Sequence, residues 1–395
     1  MTAEGPLRFS VIVASRGRPC SLSRTLRAIR QLDHQGFEVV VVGDAEVFDA
    51  ARKIGGDAFH LVAFDEANIS AARNLGVAAA AGDYCAFIDD DAVPEPMWLQ
   101  QHEAAIQKFG AAASVGYVRG PDGIGFQSRF ETVDRDGATH AKTPVQPAAH
   151  VPDVESDHAV KLVGTNMVIR RDVLQQVKGF DPAFHYHLED SDMSLRLKDA
   201  GHSVVVAPLA EVHHSLASSP RRTHRRTPKS LYHTGRSTAI FLRKHSQRDL
   251  ERIRSQVFEH ESRRLKRHMI QGSCEPRDVG RLLATLQRGW SNGLDANLVE
   301  LSQIEDERNP FRQIDAIPPG HTVIPARHFG RQSAIRSAMS IAQDHAGRAT
   351  VFSYSLTLLP HHVRYTPQGV WVHSGRQFSS ATFAKGRIRW CGFAS

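Results

Sequence analysis

The chain has 395 residues, 41% hydrophobic and 23% charged, a composition that excludes a disordered or fibrous protein and leaves room for two or three globular domains. No apolar run reaches the roughly 18–20 residues that cross a bilayer, residues 1–8 hold no apolar signal-like stretch, and the four cysteines form no CxxC pair, so reduced thiols in a cytoplasmic setting are expected. The net charge of +7 is local: residues 216–270 carry fifteen Lys or Arg against four Asp or Glu, and the remainder is net acidic.

Residues 9–14 are a buried-strand run that ends in Ser15-Arg16-Gly17-Arg18-Pro19. Leu22, Leu26 and Ile29, spaced i, i+4, i+7, predict an amphipathic helix over 21–32 with Ser21 as its cap. Residues 37–42 read as a second strand closed by Gly43-Asp44, residues 60–64 as a third, and the Ala-rich 68–81 as a helix capped by Asn68 or Ser70. Residues 84–88 are a further strand that runs directly into Asp89-Asp90-Asp91. This β-α-β-β-α-β order predicts an α/β fold with a doubly wound, mostly parallel sheet. In such sheets ligands bind beyond the carboxyl ends of the strands. Ser15, Arg16, Asp44 and the three acids all fall at that edge.

Three adjacent carboxylates repel one another, and a hard divalent cation carrying substrate phosphates, Mg²⁺ or Mn²⁺, is one natural compensation. A solvated acidic turn is the other reading. Downstream, a helix is expected over 98–109, a strand over 111–118, a long loop over 121–157 and a strand over 162–169. Ser191 or Asp192 caps a short helix that Gly201 ends. Glu189 and Asp190 then stand just before a helix N-terminus, where the dipole favours an ionised carboxylate and mutual repulsion raises one apparent pKa. That suits a general base, and it equally suits an ordinary acidic first turn. Residues 203–207 form a strand, followed by His213-His214.

Together these stretches resemble the GT-A fold of family 2 glycosyltransferases, over about residues 8–215. The resemblance is carried by residues 11–19, by Ile69-Ser-Ala-Ala-Arg73-Asn74-Leu-Gly76, by the DXD-like Asp89-Asp-Asp91, and by residues 164–170, 179–181 and 189–190. It implies an inverting, metal-dependent transfer of a sugar from a nucleotide-sugar donor to a hydroxyl on a glycan or lipid-linked acceptor of the cell envelope. Ser15, Arg16, Asp44, Arg73, Asp89 and Asp90 would line the nucleotide sugar. Asp89, Asp91 and His213 or His214 would hold Mn²⁺ or Mg²⁺, unless either histidine is merely a satisfied neighbour. Asp190, with Glu189 beside it, would be the base. Two departures, Gly43-Asp44-Ala45 after the second strand and Ser15-Arg16-Gly17 after the first, fall where the nucleobase would sit.

Residues 216–306 read as a basic helical segment. Its charge suits solvated helix faces, peripheral attachment to an anionic inner membrane face, or, least well, nucleic acid. Residues 307–395 read as a small β-rich region of unknown role, with strands near 350–359, 362–365, 369–373 and 388–391. Two other functions fit less: a nucleotidyltransferase, which needs a richer glycine loop than 15–19, and a nucleic-acid-binding or scaffold protein built on the basic segment.

Overall fold

The computed structural model describes residues 6–142, 148–215, 221–223, 227–314, 320–327, 330–344, 347–355 and 360–376. The first half opens with β1 (Phe9–Ser15), α1 (Pro19–Ile29), β2 (Phe37–Gly43), α2 (Ala45–Gly55), β3 (His60–Ala63), α3 (Ile69–Ala79) and β4 (Tyr84–Phe87). It continues through β5 (Ala92–Pro94), α4 (Trp98–Phe109), β6 (Ala113–Arg119), β7 (Phe126–Ser128), β8 (Glu131–Val133), β9 (Thr139–Ala141) and β10 (Ala159–Val160). It ends with β11 (Met167–Arg170), α5 (Arg171–Gln176), α6 (Glu189–Asp199) and β12 (Val204–His214).

The main sheet has the order β3-β2-β1-β4-β11-β6-β12-β5, with β7 added beside β6. β3, β2, β1 and β4 are mutually parallel; β11 is antiparallel to both its neighbours, and β5 pairs antiparallel with the end of β12. Strands buried on both faces need apolar side chains of both parities, which is why β1 and β2 are continuous Val/Ile runs. Leu22, Leu26 and Ile29 of α1, Val47 and Ala51 of α2, and Trp98 and Ile106 of α4 cover one face. Ala72 and Val77 of α3, Leu174 of α5, and Met193 and Leu197 of α6 cover the other.

Several boundaries differ from expectation. Helix α1 starts at Pro19, whose fixed φ and missing N–H suit the first helical position, so Ser21 lies inside the helix and is not its cap. Helix α2 was not foreseen; Asp44 caps it, its Oδ1 accepting from the Val47 amide at 3.0 Å. The expected loop over 121–157 holds three short strands, two of them in a separate sheet ordered β10-β8-β9. Asn68 does cap α3, accepting from the Ala71 amide at 3.1 Å.

Asn166, buried just before β11, ties the layers together. Its Oδ1 accepts from Trp98 Nε1 at 2.7 Å and lies 3.0 Å from His102 Nε2, while its amide donates to the carbonyls of Tyr117 and Ala210. Burial pushes the His102 imidazole down to about 4, so the ring is neutral and Nε2–H donates to Asn166.

The basic segment folds as α7 (Tyr232–His245), α8 (Leu250–Ile270) and α9 (Pro276–Asp295). α7 and α9 cross so closely that a Cβ at Gly289 would lie 1.9 Å from the Tyr232 carbonyl oxygen. Much of the positive charge is used internally. Lys244 of α7 pairs with Asp181 at 2.7 Å and with Asp192 of α6 at 2.6 Å, and Asp192 also holds Arg196 and His245.

The last region combines β13 (His321–Arg327), α10 (Arg331–Asp344), β14 (Arg348–Ser355), β15 (His362–Tyr365) and β16 (Val370–Arg376) in a sheet ordered β13-β14-β16-β15. α10, absent from the sequence reading, covers one face through Ile335 and Ala338. The other face sets Val363, Tyr365 and Trp371 against Ala28 and Val93 of the first half. Gln31 Nε2 donates to the Gly369 carbonyl at 2.9 Å. The strand expected at 388–391 lies outside the described residues.

Candidate active site

β4 ends at Phe87, and the next four residues turn the chain into β5, which carries Asp89, Asp90 and Asp91 to the carboxyl edge of the sheet. The three acids point to different partners. Asp89 accepts from the Thr165 hydroxyl and lies 3.5 Å from Arg73 Nη2. Asp90 is fully buried, paired with Arg18 and accepting from the Ser15 hydroxyl at 2.5 Å. Asp91 lies 3.4 Å from Arg18 Nη1 and 3.1 Å from His214 Nε2. Much of the repulsion in the acidic run is therefore offset by the chain itself, through Arg18 and Arg73.

Two placements are corrected. Asp90 and Ser15 are both buried and bond to each other, and burial pushes the Asp90 carboxyl up to about 7. His213 turns away from the acids. Its Nε2 bonds Glu95 at 2.7 Å and its ring packs edge-on against Trp371 at 4.8 Å. His214 takes its place beside Asp91, because β12 pairs with β5 in a register that sets His214 opposite Ala92 and His213 opposite Val93. One donor atom each from Asp89, Asp91 and His214 lie within 4.8 Å of one another. Two carboxylates and an imidazole suit a divalent cation.

Across from the acids stands the start of α6. His187 and Leu188 both adopt positive φ, 76° and 68°, an uncommon backbone for side-chain-bearing residues. This tight entry makes Glu189 and Asp190 the first residues of the helix, one turn earlier than the sequence predicts. Glu189 pairs with Arg73 Nη1 at 3.1 Å. Burial, together with the adjacent Asp190, raises the Glu189 pKa above the usual carboxylate range, and Arg73 opposes that rise. Asp190 accepts from the Ser191 amide at 2.7 Å and the Gly164 amide at 3.3 Å. A Cβ at Gly164 would meet Arg73 Nη2 at 2.4 Å, so any side chain there would push the guanidinium away from its carboxylates. The 164–165 turn thus holds Asp190 through one residue and Asp89 through the next.

The remaining expected residues sit further out. Asp44 Oδ2 accepts from the Gly17 amide at 2.6 Å, so both of its oxygens are engaged by backbone. Arg16 is exposed and pairs with Asp65 at 2.7 Å. Arg18 and Thr165 were missed by the sequence reading; the demand for positive charge near three acids pointed to Arg18, whereas nothing local marked Thr165.

The chain is similar to several known proteins. Residues 10–178 match glycosyl transferase family 2. A glucosyl-dolichyl phosphate glucuronosyltransferase of Haloferax volcanii is 26% identical over 53% of this chain and 70% of its own length. The amylovoran biosynthesis glycosyltransferase AmsB of Erwinia amylovora is 23% identical over 52% of this chain and 70% of its own. The pre-mycofactocin glycosyltransferase of Mycobacterium tuberculosis is 28% identical over 52% of this chain but 42% of its own. Among solved structures, GalNAc-T7 with UDP, GalNAc and Mn²⁺ aligns over 64% of this chain and 55% of its own, with 16% identity and a TM-score of 0.45. Residues 10–178 are a glycosyl transferase family 2 domain, and the chain that carries it is a glycosyltransferase.

Proposed function

We propose that this glycosyltransferase moves a sugar, with inversion, from a nucleoside diphosphate to a hydroxyl on a lipid-linked or polysaccharide acceptor. One observation carries the reading: the Gly164-Thr165 turn bonds both Asp190 and Asp89, holding a candidate base and a candidate donor-side ligand in one frame. Asp89, Asp91 and His214 would hold Mn²⁺ or Mg²⁺, which when bound supplies Lewis-acid stabilisation of the departing diphosphate. Asp190 takes the proton of the acceptor hydroxyl as its oxygen bonds to the anomeric carbon; the bond from that carbon to the diphosphate breaks, and the nucleoside diphosphate leaves. Glu189, clamped by Arg73, positions the turn of helix that carries Asp190. Arg16 and Asp44 line the outer, nucleobase end.

Two observations support the acceptor class. The relative named for glucosyl-dolichyl phosphate acts, by that name, on a lipid-linked sugar. Arg252, Lys266, Arg267 and Ile270 are exposed along one face of α8, with Ile270 81% exposed, beside an Arg263–Glu259 pair at 2.8 Å, a net basic face suited to resting on an anionic membrane from the cytoplasmic side. No described helix is long and apolar enough to cross a membrane.

Thermal shift with Mn²⁺ against UDP-, GDP-, dTDP- and CDP-sugars tests the reading, since a ligand that binds only the folded state raises Tm. One nucleotide sugar is expected to raise Tm in a metal-dependent way, and that dependence should vanish in Asp91→Asn. No response to any of the four classes would overturn it.

A further inference from the structure

A second cluster lies away from this cleft, on the small β10-β8-β9 sheet. Thr132 of β8 stands opposite His140 of β9, and the β8–β10 register, continued by one residue, sets His158 opposite Asp134. Alternation along a strand places Thr132 and Asp134 on one face, with His140 and His158 beside them. The structure makes the cluster tight: one donor atom each from Asp134, His140 and His158 lie within 4.8 Å of one another. The two imidazoles stack at 4.7 Å, 20° from parallel.

The partners of these side chains are those of a metal-binding set. Asp134 Oδ1 is fixed by the amides of Asp136 and Ala138, both at 2.9 Å, and Oδ2 faces His140 Nε2 at 2.8 Å. His158 Nδ1 lies 3.2 Å from the Thr132 hydroxyl, the kind of outer partner that orients a ligating imidazole. Asp157 Oδ1, 3.8 Å from His158 Nε2, is within reach as a further oxygen donor. We propose that Asp134, His140 and His158 form a second metal site, for a borderline divalent cation of the zinc class. Two nitrogens and one carboxylate favour such an ion over Mg²⁺. Tetrahedral zinc with bonds of about 2.0–2.2 Å needs donors about 3.3–3.6 Å apart, which small side-chain rotations of the half-exposed His140 supply.

The site has a structural consequence. Val133 and Ala159, each next to a ligand in sequence, pack in the cluster that contains Leu188, the residue that launches α6. A metal bound across β8, β9 and β10 clamps the floor on which Leu188 rests.

The test uses the full chain carrying Asp91→Asn, which removes a ligand of the first cluster, stripped with chelator and titrated with Co²⁺ alone. One equivalent is expected to give visible d–d absorption that Zn²⁺ displaces, and that absorption should be lost when His140→Gln and His158→Gln are added. Absorption that survives both added substitutions, or no absorption in the Asp91→Asn chain, overturns the proposal. His158→Gln alone, checked for native circular dichroism, gives the same discrimination should the triple variant not fold.

Discussion

Arg73 reaches across the cleft to Glu189, with Nη1 3.1 Å from Oε1, while its other nitrogen lies 3.5 Å from Asp89. One buried guanidinium thus serves the end of β4 and the start of α6 together. Arg73→Ala leaves two carboxylates without their partner, and breaking a buried pair from one side costs about 3–5 kcal/mol. Urea unfolding should report a loss of that size, with transferase activity falling in parallel.

Asp91→Asn keeps the shape of the turn but removes an anionic donor from the cluster with Asp89 and His214. Losing several kcal/mol of leaving-group stabilisation corresponds to a fall in kcat of about 10²–10³-fold. Nucleoside diphosphate release with Mn²⁺ present measures it.

Asp190→Asn and Glu189→Gln should separate the two neighbours. Loss of a general base lowers kcat by about 10²–10⁴-fold, so Asp190→Asn should do so while leaving the donor-induced Tm shift unchanged. Glu189→Gln removes a buried charge that the fold disfavours at neutral pH and keeps an acceptor for Arg73, so it should lower kcat less and leave stability little changed. Steady-state kinetics beside thermal shift on both variants distinguishes these outcomes.

Two buried acids give opposite pH signatures. The charges of Arg196, His245 and Lys244 hold Asp192 below its ordinary 3.8 despite burial, so its contribution is present above that value and fades as pH falls below it. Asp192→Asn should destabilise by about 3–5 kcal/mol at neutral pH, with the gap to the wild type shrinking in acid. Asp90, raised to about 7, prefers its protonated form in the fold; its contribution is complete below 3.8 and is lost as pH rises through about 7. Asp90→Asn should therefore flatten the stability profile between those values. Denaturant titrations across pH measure both.

Trp371 packs against His213 and, with Val363 and Tyr365, seats the C-terminal sheet on Ala28 and Val93. Trp371→Ala should cost about 3–5 kcal/mol, as large-to-small core changes do. Calorimetry should show the C-terminal region melting ahead of the rest.

The buried strands and the Asp89–Asp91 turn were legible because a parallel core strand needs an unbroken apolar run, and an abrupt end to that run marks the edge of the sheet. The cap at Asn68 and the limits of α4 followed from equally local chemistry. What stayed hidden depends on partners distant in sequence. Asp192 looks like a helix cap until Lys244, 52 residues on, is seen beside it. The αL pair His187-Leu188 carries no glycine to announce it, so Glu189 and Asp190 were placed outside their helix. The strands inside 121–157 are only three residues long, too short for periodicity to register.

The pairing of β12 with β5 settles more than the closure of the sheet. Side chains alternate sides along a strand, so two adjacent histidines cannot both look into the cleft, and odd or even position decides which one does. That parity is set upstream, at the irregularity between Ala207 and Glu211 where β12 shifts against β6. One residue added there would advance the strand by one position, setting His213 beside Asp91 and Val212 where His213 now meets Glu95 and Trp371.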